Sequence, residues 1–121
     1  MTNRKQDYKR ALKRDMILVY GLLCWGDELW LPDNQNIMTI HHILPVRKKG
    51  KLEWGNIALL SQYFHNFFNR IENVDKRLAS ELNDLFIELN RSMNMPTDQH
   101  YSDVDFLMGK AEYKHGIELR R

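Results

Sequence analysis

The sequence predicts an α+β fold in which a short β-hairpin leads into a helix and is embedded among flanking α-helices. Residues 37–44 are rich in Ile and Thr, contain no Gly or Pro, and stop before Pro45, a pattern typical of a strand. Apolar residues recur at spacings of three and four from Leu60 to Ile71, which indicates one face of a helix. The predicted order is helix, hairpin, helix and two more helices.

The first predicted element is a basic helix over residues 3–19, where Lys and Arg at helical spacing run into four consecutive apolar residues. Glycine, proline and asparagine punctuate residues 21–36, which favours loops and short strands there. The strand at 37–44 needs a partner nearby, and an apolar segment restarts at 56–60. Residues 47–51 form a polar, glycine-containing connection between them.

Two amphipathic helices are predicted in the C-terminal part of the chain. The segment of about 75–94 carries a continuous apolar stripe opposite charged side chains. The segment of about 98–115 has a second apolar face, with Asp98 or Ser102 as its N-cap and Gly116 as its stop.

Length and composition predict a single domain over residues 1–121, since a domain typically holds about 100 to 150 residues. No window approaches the roughly 18 consecutive apolar residues of a membrane span, so we expect no membrane integration. The N-terminus does not read as a secretory signal, and we expect a cytoplasmic protein. Cys24 is alone and therefore cannot form an internal disulfide or a four-thiolate zinc site.

Positive charge is concentrated in the first part of the chain. Residues 1–71 hold 11 Lys and Arg against 6 Asp and Glu, whereas residues 72–121 hold 7 against 10. Such clusters suit a polyanion-binding surface, although a solvated basic face without a ligand explains the charge equally well. The basic positions are Arg4, Lys5, Lys9, Arg10, Lys13, Arg14, Arg47, Lys48, Lys49 and Lys51.

Five polar residues form the candidate chemical site: His41, His42, Asn56, His65 and Asn69. His65 and Asn69 are four residues apart in a predicted helix, so their side chains share one face. Neutral imidazole is a common ligand of divalent metals, and two imidazoles with an amide oxygen leave positions for water and phosphate. One of the two adjacent histidines could hold the metal while the other acts as general base. Each histidine taken alone is more simply a surface or core residue.

These residues resemble the HNH, or ββα-metal, endonuclease family. The resemblance runs through His-His-Ile-Leu-Pro at 41–45, the Gly50 connection, Asn-Ile-Ala-Leu-Leu at 56–60, and His65. It implies an HNH-like domain whose ββα-metal finger, a short hairpin plus a helix, covers about 22–71.

By position, the resemblance implies that His41 and His65 are metal ligands, with Asn69 where colicin-type members place a further histidine. It implies that His42 is the general base. Asn56 corresponds to the family's central Asn, which we group with the catalytic residues because it braces the loop between the strands. The implied cofactor is one divalent ion, Mg, Mn, Ni or Zn. The loop residues expected to hold nucleic-acid phosphates without reading sequence are Arg47, Lys48, Lys49 and Lys51.

Two departures from the family pattern affect the expected metals. Many members hold a structural zinc with two Cys-x-x-Cys pairs, but this chain has only Cys24, with Gly21 where its pair would stand. We therefore expect no structural zinc, and we expect apolar residues between 22 and 31 to replace its stabilising role. An amide at Asn69 in place of a histidine favours Mg or Mn over softer metals.

The leading hypothesis is a metal-dependent HNH-type endonuclease that hydrolyses DNA phosphodiester bonds by nicking or with weak specificity. The alternative is a catalytically silent nucleic-acid-binding or regulatory protein that retains the ββα frame. DNA is the expected partner, and the two C-terminal helices could pack either on residues 1–71 or on a second copy of the protein as a homodimer interface. Similarity to small standalone members common in bacteria and phages suggests restriction, packaging or mobile-element work.

Overall fold

The computed structural model describes residues 4–28 and 38–117, and within these ranges the protein has an α+β fold. One two-stranded antiparallel sheet is surrounded by four α-helices, and the second strand leads directly into the second helix. The predicted fold class is confirmed. The elements are α1 (Arg4–Tyr20), β1 (Met38–His42), β2 (Ile57–Ser61), α2 (Gln62–Val74), α3 (Lys76–Ser92) and α4 (Asp98–His115).

The hairpin pairs β1 with β2 in a register that places His41 opposite Ala58. The sequence predicted a strand over 37–44, whose first residue lies outside the described ranges, and β1 ends two residues before its predicted limit. Beyond His42, the backbone N–H of Ile43 still donates to the carbonyl oxygen of Asn56 at 2.9 Å. The following N–H, that of Leu44, donates instead to the side-chain oxygen of Asn56 at 2.7 Å, and here the backbone pairing of the two strands ends.

Gly50 closes the loop between the two strands. Its N–H donates to the carbonyl oxygen of Pro45 at 2.9 Å, which brings the two ends of the loop together. A Cβ at position 50 would lie 1.6 Å from the carbonyl oxygen of Leu44, far inside van der Waals contact. Only glycine fits this close approach of two backbone segments.

The helix limits agree closely with the predicted ones. The predictions 3–19, 75–94 and 98–115 correspond to α1, α3 and α4, with differences of at most two residues at any end. The predicted stop at Gly116 is confirmed, because this residue takes the left-handed conformation with φ 64°. The predicted N-cap of α4 was wrong: Thr97, rather than Asp98 or Ser102, accepts a backbone N–H through its hydroxyl.

Buried residues from all four helices and both strands form one apolar cluster. The first helix contributes Leu12, Met16 and Tyr20, spaced by four residues along one face. The apolar stripes of α3 and α4 are also part of this cluster, so they pack against other residues of the same chain. These stripes were the reason for expecting a homodimer, and they therefore no longer support one.

A buried polar network joins α1, α3 and the start of β2. The side-chain NH₂ of Asn90 donates to the carbonyl oxygens of Trp54, at 2.7 Å, and Ile57, at 2.8 Å. The hydroxyl of Tyr20 donates to the backbone oxygen of Asn90 and accepts the indole N–H of Trp54 at 3.2 Å. These bonds satisfy polar groups in the interior and fix α1 and α3 against the hairpin.

Cys24 lies inside the core beside the hairpin. Its sulfur accepts the backbone N–H groups of Gly26, at 3.4 Å, and Ser61, at 3.2 Å, and burial raises the pKa of the thiol. The side chain therefore remains a neutral thiol that packs as a small apolar group. Of the residues expected to stabilise this region, Leu22 and Trp25 are buried, whereas residues 29–31 lie outside the described ranges.

None of the helices in the described ranges combines the length and apolar character needed to cross a membrane.

Candidate functional site

The imidazole rings of His41 and His65 lie side by side. Their centroids are 5.3 Å apart and their planes are inclined by 79°. His41 comes from β1 and His65 from the start of α2, which follows β2 without a break, so the hairpin and the helix converge here. His41 is only 6% exposed and packs against the ring of Phe68, with centroids 4.4 Å apart, whereas His65 is half-buried.

The hydrogen bonds around His41 fix its tautomer. Its Nε2 lies 2.9 Å from the side-chain oxygen of Asn83, and the NH₂ group of Asn83 donates to the carbonyl oxygen of Ile43 at 3.4 Å. Because the amide oxygen can only accept, Nε2 of His41 must carry the proton. The lone pair of this ring is therefore on Nδ1.

The hydrogen bonds around His65 fix the opposite tautomer. The hydroxyl of Thr39 donates its single proton to the carbonyl oxygen of Leu60 at 2.7 Å. The same hydroxyl oxygen lies 2.8 Å from Nδ1 of His65, so it must accept the proton of that nitrogen. The lone pair of His65 is therefore on Nε2, and a neighbour orients each ring in the way typical of metal-ligating histidines.

The surroundings keep the three histidines of the site neutral at pH 7. Burial lowers the pKa of His41 to about 4, although its hydrogen bond to Asn83 opposes this shift. Burial also lowers the pKa of His42 and of His65, and the charge of Lys9 adds to both shifts. Neutral imidazole is the form needed by a metal ligand and by a general base.

Asn56 braces the loop between the strands. Its side-chain oxygen accepts the N–H of Leu44, and its NH₂ group donates to the carbonyl oxygens of Leu44 and Lys51, both at 3.0 Å. Both ends of the amide are therefore engaged by backbone. This is the bracing role that the resemblance implied for Asn56.

A cavity of about 490 Å³ opens beside His65. Residues of α1 line one wall, and residues of β1 and α2 line the other, where Asn69 lies one turn beyond His65. The structure therefore brings His65 and Asn69 to one surface, as their spacing predicted. His42 is half-buried at the end of β1 and is not among the lining residues.

Residues 24–66 match the family model of the HNH endonucleases. The resemblance inferred from the sequence is confirmed. The HNH segment contains the hairpin, its loop and the start of α2, and it ends before Asn69. None of the curated proteins and none of the solved structures compared with the chain matches it.

The basic loop of the HNH segment is exposed to solvent. Lys48, Lys49 and Lys51 are exposed, and Arg47 pairs with Glu72 of α2 at 3.6 Å. Because both partners retain contact with water, this ion pair contributes little to stability. Trp54, at the end of the loop, is half-buried and contacts the Tyr20 ring, so it anchors the core.

Few donor atoms near His65 are available to a divalent ion. Across residues 4–28 and 38–117, no group of three or more His, Cys, Asp or Glu side chains converges to hold a metal. The available donors are Nδ1 of His41, Nε2 of His65 and the amide of Asn69. Two oriented neutral imidazoles suit one divalent ion whose remaining positions go to water or phosphate.

Sequence reasoning missed the two residues that orient the imidazoles. Thr39 is two residues before His41 and so shares its side of the strand, which could have marked it as a neighbour of the site. Asn83 is 42 residues away from His41 in the sequence, and no local pattern connects the two. Only the packing of α3 against the hairpin brings that amide to the ring.

Proposed function

We propose that this protein is a metal-dependent endonuclease that hydrolyses DNA phosphodiester bonds. The observation that supports it best is the pair of neighbouring neutral imidazoles, each fixed in its tautomer, within a segment that matches the HNH endonucleases. A metal bound by both rings needs one nitrogen lone pair from each, and these tautomers leave a lone pair on Nδ1 of His41 and on Nε2 of His65. The exposed basic loop supplies the charge that attracts a nucleic-acid backbone.

Each residue of the site takes a distinct role in this proposal. His41 and His65, with Asn69, would hold one divalent ion, whose charge stabilises the phosphate during hydrolysis. His42 removes a proton from the attacking water, and its lowered pKa keeps the ring neutral and able to accept that proton. Asn56 holds the loop that carries the phosphate-binding lysines.

The test is plasmid nicking by the wild type and by His42→Ala, with Mg, Mn, Ni or Zn supplied in turn. We expect nicks in at least one metal, and a loss of about 10²- to 10⁴-fold in rate in the variant, as for removal of a general base. His115→Ala is the matched control, because His115 lies on α4 and pairs with Asp75 at 2.9 Å. An undiminished rate in His42→Ala would remove His42 from the mechanism.

A second candidate function is nucleic-acid binding without cleavage. The small exposed fraction of His41 and its engagement by Asn83 favour this candidate, because a ring held in the interior serves packing as well as it serves a metal. A silent protein would retard the migration of DNA in a gel but produce no nicks in any of the four metals. The plasmid assay therefore separates the two functions.

A further inference from the structure

The first helix lies outside the HNH segment, yet it forms one wall of the cavity beside His65. Its lining residues are at positions 6, 9, 10 and 13, the spacing that places side chains on a single helix face. The adjoining stripe of Leu12, Met16 and Tyr20 is buried in the core. The core therefore fixes the helix in an orientation that turns its basic face to the cavity.

The cavity has the charge of an anion-binding site. Lys9, Arg10 and Lys13 all line it, and no Asp or Glu is among the described residues of its lining. Partial burial lowers the pKa of Lys13, and the charges of Lys9 and Arg10 lower it further. Three like charges at close range repel one another, and a bound anion would relieve this repulsion.

The opposite wall offers polar groups without charge. Thr39, His65 and Asn69 line it, and none of these side chains is a carboxylate. An anion in the cavity thus meets cations on one side and the oriented imidazole on the other. Lys9 and Arg10 therefore line the same cavity as His65 and Asn69, two of the candidate metal ligands.

We propose that the cavity face of α1 is a phosphate clamp, in which Lys9 and Arg10 bind a backbone phosphate of the DNA strand positioned at His65. The substrate class in this inference rests on the proposed nuclease function. Lys13, whose ammonium group donates to the carbonyl oxygen of Met38 at 3.3 Å, adds charge from the rim. The clamp extends the site beyond the HNH segment and holds phosphate without reading base sequence.

The test measures DNA binding in EDTA, so that cleavage cannot affect it. Wild type, Lys9→Gln, Arg10→Gln and the double variant are titrated against a short labelled duplex by fluorescence anisotropy, between about 50 and 200 mM NaCl. The logarithm of the affinity falls linearly with the logarithm of the salt concentration, and each lost phosphate contact should make this negative slope shallower by about 0.9. Arg14→Gln is the matched control, because Arg14 is on the same helix, is exposed, and does not line the cavity.

The expected result is a salt slope that is shallower by about 1.8 in the double variant and little changed in Arg14→Gln. An unchanged slope in the double variant would overturn the clamp, and so would an equal reduction in Arg14→Gln, because binding would then depend on diffuse charge. Plasmid nicking by the wild type tests the enzyme separately. Nicking with an unchanged slope refutes the clamp alone, whereas a reduced slope without nicking retains the clamp and refutes the nuclease.

Discussion

Replacing His41 with glutamine should make the protein less sensitive to acid. The wild-type ring is 6% exposed and its pKa is lowered to about 4, whereas the unfolded chain exposes it at the ordinary value of 6.5. As the pH falls, the unfolded state therefore takes up a proton before the folded state does, and acid favours unfolding. Glutamine does not titrate, and its NH₂ group can still donate to the side-chain oxygen of Asn83.

The size of this effect follows from the difference between the two pKa values. A shift of about 2.5 units corresponds to about 3 kcal/mol of folding free energy. This contribution of His41 is fully present above pH 6.5 and is lost as the pH falls toward 4. About 2 kcal/mol should already be lost at pH 5.

Urea unfolding in EDTA at pH 7, 6, 5 and 4 measures the effect, with EDTA present so that no metal occupies the rings. Every other titratable group is present in both proteins, so the difference between wild type and variant reports on His41 together with its electrostatic coupling to His65 and His42. That difference should move by about 3 kcal/mol in favour of the variant between pH 7 and pH 4. If the free energies of unfolding of the two proteins change with pH in parallel, the folded protein does not hold this ring neutral and the prediction is wrong.

Three further substitutions test other parts of the structure. Asn90→Leu leaves two buried carbonyl oxygens without their amide donor and should cost about 2 to 4 kcal/mol in urea unfolding; a neutral result would remove this residue from the core network. Gly50→Ala places a methyl group against the backbone of Leu44 and should cost at least about 3 kcal/mol in urea unfolding; an unchanged stability would refute the close contact at this position. Thr39→Val removes the acceptor of the His65 Nδ1–H and should slow metal-dependent nicking about 10- to 100-fold, with Thr39→Ser restoring it; equal rates would dismiss the orienting role.

Local sequence patterns predicted most of the fold. The limits of α1, α3 and α4 were predicted within two residues. The prediction of α1 rested on Lys and Arg at helical spacing, and those of α3 and α4 rested on apolar residues that repeat with the period of a helix. The predicted strand was too long because the side chain of Asn56 takes over the backbone of Leu44, and hydropathy carries no sign of such a contact. The N-cap of α4 was predicted at Asp98 or Ser102 and lies at Thr97, since each of these three polar residues can cap a helix.

The site was predicted less completely than the fold. The spacing of His65 and Asn69 placed both on one cavity wall, and the resemblance anticipated the bracing bonds of Asn56. The orienting contact from Asn83 depends on how α3 crosses the hairpin, which the sequence does not encode locally. The sequence showed the basic residues of α1, but only the packing of this helix in the structure shows that they line the same cavity as His65.

The bonds of Asn90 and Tyr20 also limit how the protein could be dissected. Residues 24–66 carry the matched histidines, yet residues of α1 and α3 complete the interior that holds their hairpin. An excised fragment would expose that interior to water and should not fold independently. A chimera that transplants this chemistry onto another scaffold would therefore have to carry both helices with it.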